Sequence, residues 1–265
     1  MKYYFREHIA GYERMKREGK RSWHETQRGG DYDDFSSRPF LEVTLPRLSF
    51  ADAHASVLEI GCGTGVATCF LAERGFRVDA IDLIPTAIEV ARRIAAERGL
   101  DITYQVRDIC DLPREGKLYD MIVDSFCLQA IVLDEDRAKV FGNVRARLQA
   151  AGYYLVSTAM FDPDRFDPER TVTDEQTGIL YHRYGEDGII DPQTGIAYIG
   201  LDGSPDPYDG AINVGERWYL PSRRHLKPVA LRAELRAAGF QALLHVGEYG
   251  ENAICVHAES GQSLR

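Results

Sequence analysis

Residues 57–65 read VLEIGCGTG, and this short run constrains the chain more than any other. An apolar stretch carrying one acid, Glu59, ends in three glycines on alternate positions: Gly61, Gly63 and Gly65. The next residues, VATCFLAERG, have helical spacing and end on Gly75, a residue suited to stop a helix. Glycine adopts positive φ without steric cost, and lacking a Cβ it lets a ligand lie against the main chain. In an open α/β sheet, ligands settle beyond the carboxyl ends of the strands, near the point where strand order reverses. The turn at 61–65 is therefore read as a binding turn after the first strand of such a sheet. A nicotinamide fingerprint, GxGxxG, requires its third glycine five positions after the first. Val66 stands there, which disfavours a dinucleotide-dependent oxidoreductase.

The alternation continues. FRVDAID (76–82) reads as a strand ending on Asp82. Pro85 suits a first helical position, and Ile88, Ala91, Ile94 and Ala95 form an apolar stripe closed by Gly99. ITYQVRD (102–108), YDMIVDS (119–125) and YYLVST (153–158) read as further strands, with a helix around 134–149 and Gly152 just past it. Such spacing predicts parallel pairing through crossovers. The end of the chain breaks the pattern. After a helix at 228–238, FQALLHV (240–246) and NAICVHA (252–258) are joined only by GEYGE. That link is too short for a crossover helix, so the pair is expected to be an antiparallel hairpin. Residues 1–50 place Tyr4, Phe5, His8, Ile9, Tyr12 and Met15 at helical spacing, and residues 161–217 form a long insertion with two TG-led apolar runs.

These motifs together resemble the class I S-adenosylmethionine (SAM)-dependent methyltransferases, clearly over about 57–160 and in outline over 218–258. VLEIGCGTG is similar to their first motif, VDAIDL (78–83) to the second strand with its terminal acid, VRDICDLP (106–113) to the third, and YDMIVDSFCLQ (119–129) to the fourth. The expected fold class is α/β: a Rossmann-like, seven-stranded, mostly parallel sheet with an antiparallel last strand and helices on both faces. Added to it are an N-terminal helical lid (1–50) and an inserted small β-containing cap (161–217), leaving 51–160 and 218–265 as the SAM-binding core. The resemblance implies that Gly61, Gly63 and Gly65, with Cys62 among them, face the methionyl and ribose parts of SAM. It implies that Glu59 steadies the turn or the amino group, and that Asp82 takes the ribose hydroxyls through charge-assisted bonds. Asp108 and the Ile109 N–H would meet adenine between Leu83 and Ile109, and Asp124 and Ser125 would line the methionyl end. Trp23, Phe35 and Arg38 could lie over the cofactor, with Arg38 on its carboxylate. Each acid and arginine also has a structural reading, as turn residue, satisfied buried group or surface charge.

Methyl transfer needs donor and acceptor held in line with water excluded. A base is needed only for an acceptor that keeps its proton at neutral pH. Candidates are Asp124, His182 and Tyr181, with His24 and His225 behind them. The expected activity is methyl transfer to O or N of a small, partly apolar or aromatic molecule. Tyr181, Tyr184, Tyr198, Tyr208, Trp218 and Tyr219 could wall its cavity, or equally fill a small added core. The net charge of −9 argues against nucleic acid. The fourth motif reads DSFC, unlike the Asn/Asp-Pro-Pro-aromatic sequence that grips an amide or base nitrogen. Five cysteines form no CxxC pair, so no metal and no disulfide are expected. No stretch reaches the roughly 20 apolar residues of a membrane span, and the N-terminus lacks a secretory apolar region. A cytoplasmic location is expected, and a homodimer is compatible. A non-catalytic SAM-binding module is the main alternative.

Overall fold

The structure, a computed structural model, describes residues 2–52, 54–162, 170–206 and 208–264. β1 (Ser56–Ile60) is buried along its length, as befits a strand covered on both faces. α4 (Val66–Ala72) follows the glycine turn and leads to β2 (Arg77–Asp82), α5 (Pro85–Glu97) and β3 (Thr103–Val106). β4 (Tyr119–Ser125), α6 (Asp134–Arg147) and β5 (Leu148–Ser157) complete the parallel part. The second half brings β6 (Thr171–Thr173), β7 (Leu180–Tyr184), β8 (Gly188–Ile190), β9 (Ile196–Leu201), β10 (Ile212–Val214) and β11 (Arg217–Arg224). α7 (Pro228–Ala237), β12 (Phe240–Val246) and β13 (Asn252–His257) follow.

The seven-stranded sheet has the order β12-β13-β5-β4-β1-β2-β3. β13 runs antiparallel to both β12 and β5, and the remaining pairings are parallel. Strand order reverses between β1 and β4, which fixes the crevice beyond their carboxyl ends as the place for a ligand. β5 begins at Leu148, where a helical end and then Gly152 are expected from the sequence. Leu148 pairs with Tyr119, so the strand ladder claims residues that carry no helix-stop signal.

β6 to β11 form a second sheet, six-stranded and antiparallel, in the order β10-β11-β9-β8-β7-β6. The TG-led runs are β7 and β9, each entered by a turn in which an aspartate, Asp174 or Asp191, accepts from the following threonine. The boundary expected at 218 falls inside β11, so the added sheet reaches Arg224. Residues 163–169 of the expected insertion lie outside the described residues.

The N-terminal segment supplies α1 (Tyr4–Arg17), α2 (Trp23–Arg28) and α3 (Arg38–Thr44). It is built into the core as well as lying over it. Tyr3 Oη accepts from the Val132 and Leu133 N–H groups at 2.7 and 3.0 Å. Phe40, Leu41 and Leu48 pack in one cluster with Val57, Val78 and Met121.

Candidate active site

The glycine turn has the backbone that its sequence predicts: φ is +63° at Gly61, +56° at Gly63 and +81° at Gly65. A Cβ on Gly61 would stand 2.4 Å from Cys127 Sγ, and one on Gly63 2.6 Å from Tyr12 Oη. The glycines are therefore required by the protein groups packed against the turn. It opens into a cavity of about 660 Å³ at the switch point. That volume lies within the roughly 300–1,000 Å³ of small-molecule sites.

Asp82 ends β2 at the cavity wall. Its Oδ2 accepts from Gly63 N and its Oδ1 from Ile84 N, both at 2.8 Å. The carboxylate thus ties the turn to the neighbouring strand, and burial pushes it up to about 6 against the pull of these N–H groups. Glu59, in β1, is buried, accepts from Thr68 Oγ1, and is pushed up to about 8 by burial. Asp108 lies past the end of β3. Its Oδ1 accepts from Cys110 N at 2.8 Å and its Oδ2 from Tyr4 Oη at 2.7 Å. Gly61, Cys62, Gly63, Leu83, Ile109 and Ser125 also line the cavity, and Ser125 shares a hydroxyl hydrogen bond with Ser37. Trp23 lines it too, donating from Nε1 to Tyr12 Oη at 3.0 Å.

Several expected site residues stand elsewhere. Arg38 sits on the outside of α3, held by Glu42 at 2.9 Å and the Asp33 carbonyl at 3.0 Å, and it does not reach the cavity. Asp124 is buried behind the wall. Its Oδ1 accepts from Cys127 N at 2.8 Å and Leu128 N at 3.2 Å, so it caps the turn after β4. Burial pushes it up to about 7, with Tyr154 Oη 3.4 Å from Oδ2. Tyr181 and His182 lie on β7 and are absent from the cavity wall. Alternation along the strand turns Tyr181 into the core of the added sheet with Ile189, Tyr198, Val214 and Tyr219. Tyr198 and Tyr219 fill that core with it, whereas Trp218 is exposed. His225 is buried against Tyr184, whose hydroxyl is 3.1 Å from Nε2. Of the weaker histidine candidates only His24 lines the cavity.

Groups to which the sequence reading gives no site role also line the wall: Tyr4, His8 and Tyr12 of α1, Thr158 after β5, Arg223 of β11, and Glu251. The four-residue spacing of Tyr4, His8 and Tyr12 is visible in the sequence, but it looks the same for a core-facing stripe.

Residues 57–152 match a family model described as a methyltransferase domain. The chain is 30% identical over 149 residues to the 2-heptyl-1-hydroxyquinolin-4(1H)-one methyltransferase of Mycobacteroides abscessus, covering 54% of this chain and 64% of that protein. It is 37% identical over 102 residues to the ubiquinone biosynthesis O-methyltransferase of Methylocella silvestris, covering 37% of this chain and 40% of that one. The chain therefore spans less than two thirds of the length of these relatives. Among solved structures, a SAM-dependent methyltransferase from Clostridium acetobutylicum superimposes with a TM-score of 0.57 at 16% identity, over 88% of this chain and 94% of that one. The glycopeptide N-methyltransferase MtfA, complexed with SAM, gives 0.54 at 20% identity, over 83% and 92%. These likenesses show the methyltransferase fold. Among the described residues, no helix is long and apolar enough to cross a membrane.

Proposed function

We propose that the chain is a SAM-dependent methyltransferase that moves a methyl group to oxygen or nitrogen of a small, partly apolar or aromatic molecule. One observation carries the reading: bare glycine main chain and Asp82 face the same cavity at the point where strand order reverses. Asp82 suits a sugar with two neighbouring hydroxyls. Each of its oxygens takes a backbone N–H and keeps a lone pair for another donor. Gly61 and Gly63 would hold the methionyl and ribose parts, Leu83 and Ile109 the adenine faces, and Asp108 the adenine edge beside Tyr4, while Gly65 packs against Tyr104 and Ala91 away from the cavity wall. Glu59 and Ser125 would stand near the methionyl end, with Trp23 and α1 covering the cofactor. When bound, SAM supplies an activated methyl group and leaves as S-adenosylhomocysteine (SAH). The chain's own residues orient the partners and keep water out.

The relatives favour a hydroxyl on or near a ring as the acceptor, since one is named for a hydroxyquinolone and another as an O-methyltransferase. A cytoplasmic setting belongs to the reading, supported by five free thiols. So does the exclusion of nucleic acid, supported by the net charge of −9. The test is calorimetry with SAM and SAH, followed by SAH production from a panel of phenols, enols and N-hydroxy heteroaromatics that includes 1-hydroxyquinolin-4(1H)-one. Absence of SAM binding refutes the reading. Binding without turnover moves the chain to the class of SAM-binding regulatory modules.

A further inference from the structure

Tyr4, His8 and Tyr12 stand on one face of α1, a turn apart, and all three line the cavity. The two tyrosine hydroxyls are engaged, Tyr4 with Asp108 and Tyr12 with Trp23. The imidazole of His8 differs. Its Nδ1 lies 2.7 Å from the Tyr4 carbonyl oxygen. A carbonyl oxygen only accepts, so Nδ1 carries the proton, and in a neutral ring Nε2 then holds a free lone pair. No hydrogen bond to Nε2 forms among the described residues.

The surroundings keep that ring neutral. Burial and the Arg223 guanidinium, reaching in from β11, lower its proton affinity. Glu7 on α1 pulls the other way. Its Oε2 is already shared by Arg223 Nη1 at 3.1 Å and Ser222 Oγ at 2.7 Å. Three of the carboxyls on the cavity wall already accept hydrogen bonds: Asp82 from backbone N–H groups, Asp108 from Tyr4 and Cys110 N, and Glu251 from Tyr249 N.

We propose that His8 Nε2 is the general base of this site and that the acceptor is a weakly acidic hydroxyl: a phenol, an enol or an N-hydroxy group. The inference rests on the methyl-transfer reading. An amine free of its extra proton attacks with its own lone pair and needs no base. A phenol, with a pKa of about 10, is still protonated at pH 7. A neutral imidazole is matched to that task. In the step, the O–H bond breaks and its electron pair stays on oxygen, which forms the new O–CH₃ bond. The proton goes to His8 Nε2 and from there to water. The sulfur keeps the pair of the bond that breaks.

The experiment compares wild type, His8→Gln and His8→Asn on the hydroxyl panel, with SAH affinity measured on all three and the His8 tautomer read by ¹⁵N NMR of the free protein. Expected are an Nδ1–H tautomer, SAH affinity and KM within about twofold of wild type, and kcat lowered on the order of 10²-fold or more in both variants. Variants that keep kcat within about twofold, or an Nε2–H tautomer, overturn the assignment of His8 while the methyltransferase reading stands. Wild type that binds SAH but turns over none of the hydroxyls overturns this proposal together with the hydroxyl acceptor. Wild type that does not bind SAH removes the underlying reading.

Discussion

Replacing Asp82 by asparagine keeps the size of the side chain and removes one acceptor oxygen. In the native protein the two carboxylate oxygens divide their work, Oδ2 on Gly63 N and Oδ1 on Ile84 N, each at 2.8 Å. The asparagine oxygen can serve only one of these donors, and its NH₂ must face the other. One buried N–H is then unmet, which costs about 1–3 kcal/mol of stability. Binding loses a charge-assisted acceptor as well. A hydrogen bond to a charged group contributes about 1.5–3 kcal/mol, equivalent to a rise in the SAH Kd of roughly 10- to 150-fold. Alanine would leave both donors unmet and would confuse folding with binding. The assay is calorimetry with SAH on wild type and Asp82→Asn, paired with thermal unfolding of each. A lowered Tm with unchanged SAH affinity would refute the reasoning: Asp82 would then only tie the turn to β2, with no hand in holding the cofactor's sugar.

Three further outcomes follow from the geometry. Arg38→Ala is expected to leave SAH affinity within about twofold, because Arg38 is a surface partner of Glu42 and such pairs contribute little; a tenfold loss by calorimetry would place its guanidinium on the cofactor after all. Tyr3→Phe removes the acceptor of the Val132 and Leu133 N–H groups and should destabilise by about 1–3 kcal/mol, seen as a lower urea midpoint; an unchanged midpoint would contradict the buried role of Tyr3. Burial raises Asp82, Asp124 and Glu59 to about 6, 7 and 8, so the folded protein holds protons that the unfolded chain has released. Their contribution to stability is present in full below the unfolded values of 3.8 to 4.5 and is lost as pH rises through 6 to 8. The ligand-free protein should therefore unfold at lower urea at pH 8.5 than at pH 6, and Glu59→Gln should flatten the part of the fall above pH 7; an equal fall in that variant would acquit Glu59.

The core sheet was legible because its logic is local. A strand end, a glycine turn and a helix start are written in adjacent residues, and GEYGE alone decides that β12 and β13 pair antiparallel. Asp82 and Asp108 could be placed for the same reason: each follows directly from where its strand stops. Asp124 shows the limit of that rule. It too lies near a strand end, but its carboxylate turns inward to cap Cys127 and Leu128, and only the path of the chain after β4 decides this. Tyr181 and His182 belong to an aromatic run whose facing the sequence leaves open, and the alternation of β7 sends Tyr181 into the added sheet's own core. Arg38 depended on the direction in which a helix presents its face, which α3 settles in favour of Glu42.

What remained hidden is the acceptor side, where contacts join distant segments. Ser222 and Glu7 are 215 positions apart, yet their hydrogen bond helps to fix the surroundings of His8. No spacing rule links an N-terminal helix to β11, so His8 reads in sequence as one more member of an amphipathic stripe. Its distinction appears only when Tyr4 O claims Nδ1 and Arg223 stands close by. The same helix meets Asp108 through Tyr4 and stands against Gly63 through Tyr12. A ligand bound as proposed would touch α1 at both the cofactor end and His8. If the helix carries both, removing it should abolish turnover more completely than any single change in the glycine turn, because it takes away the cover and the base together.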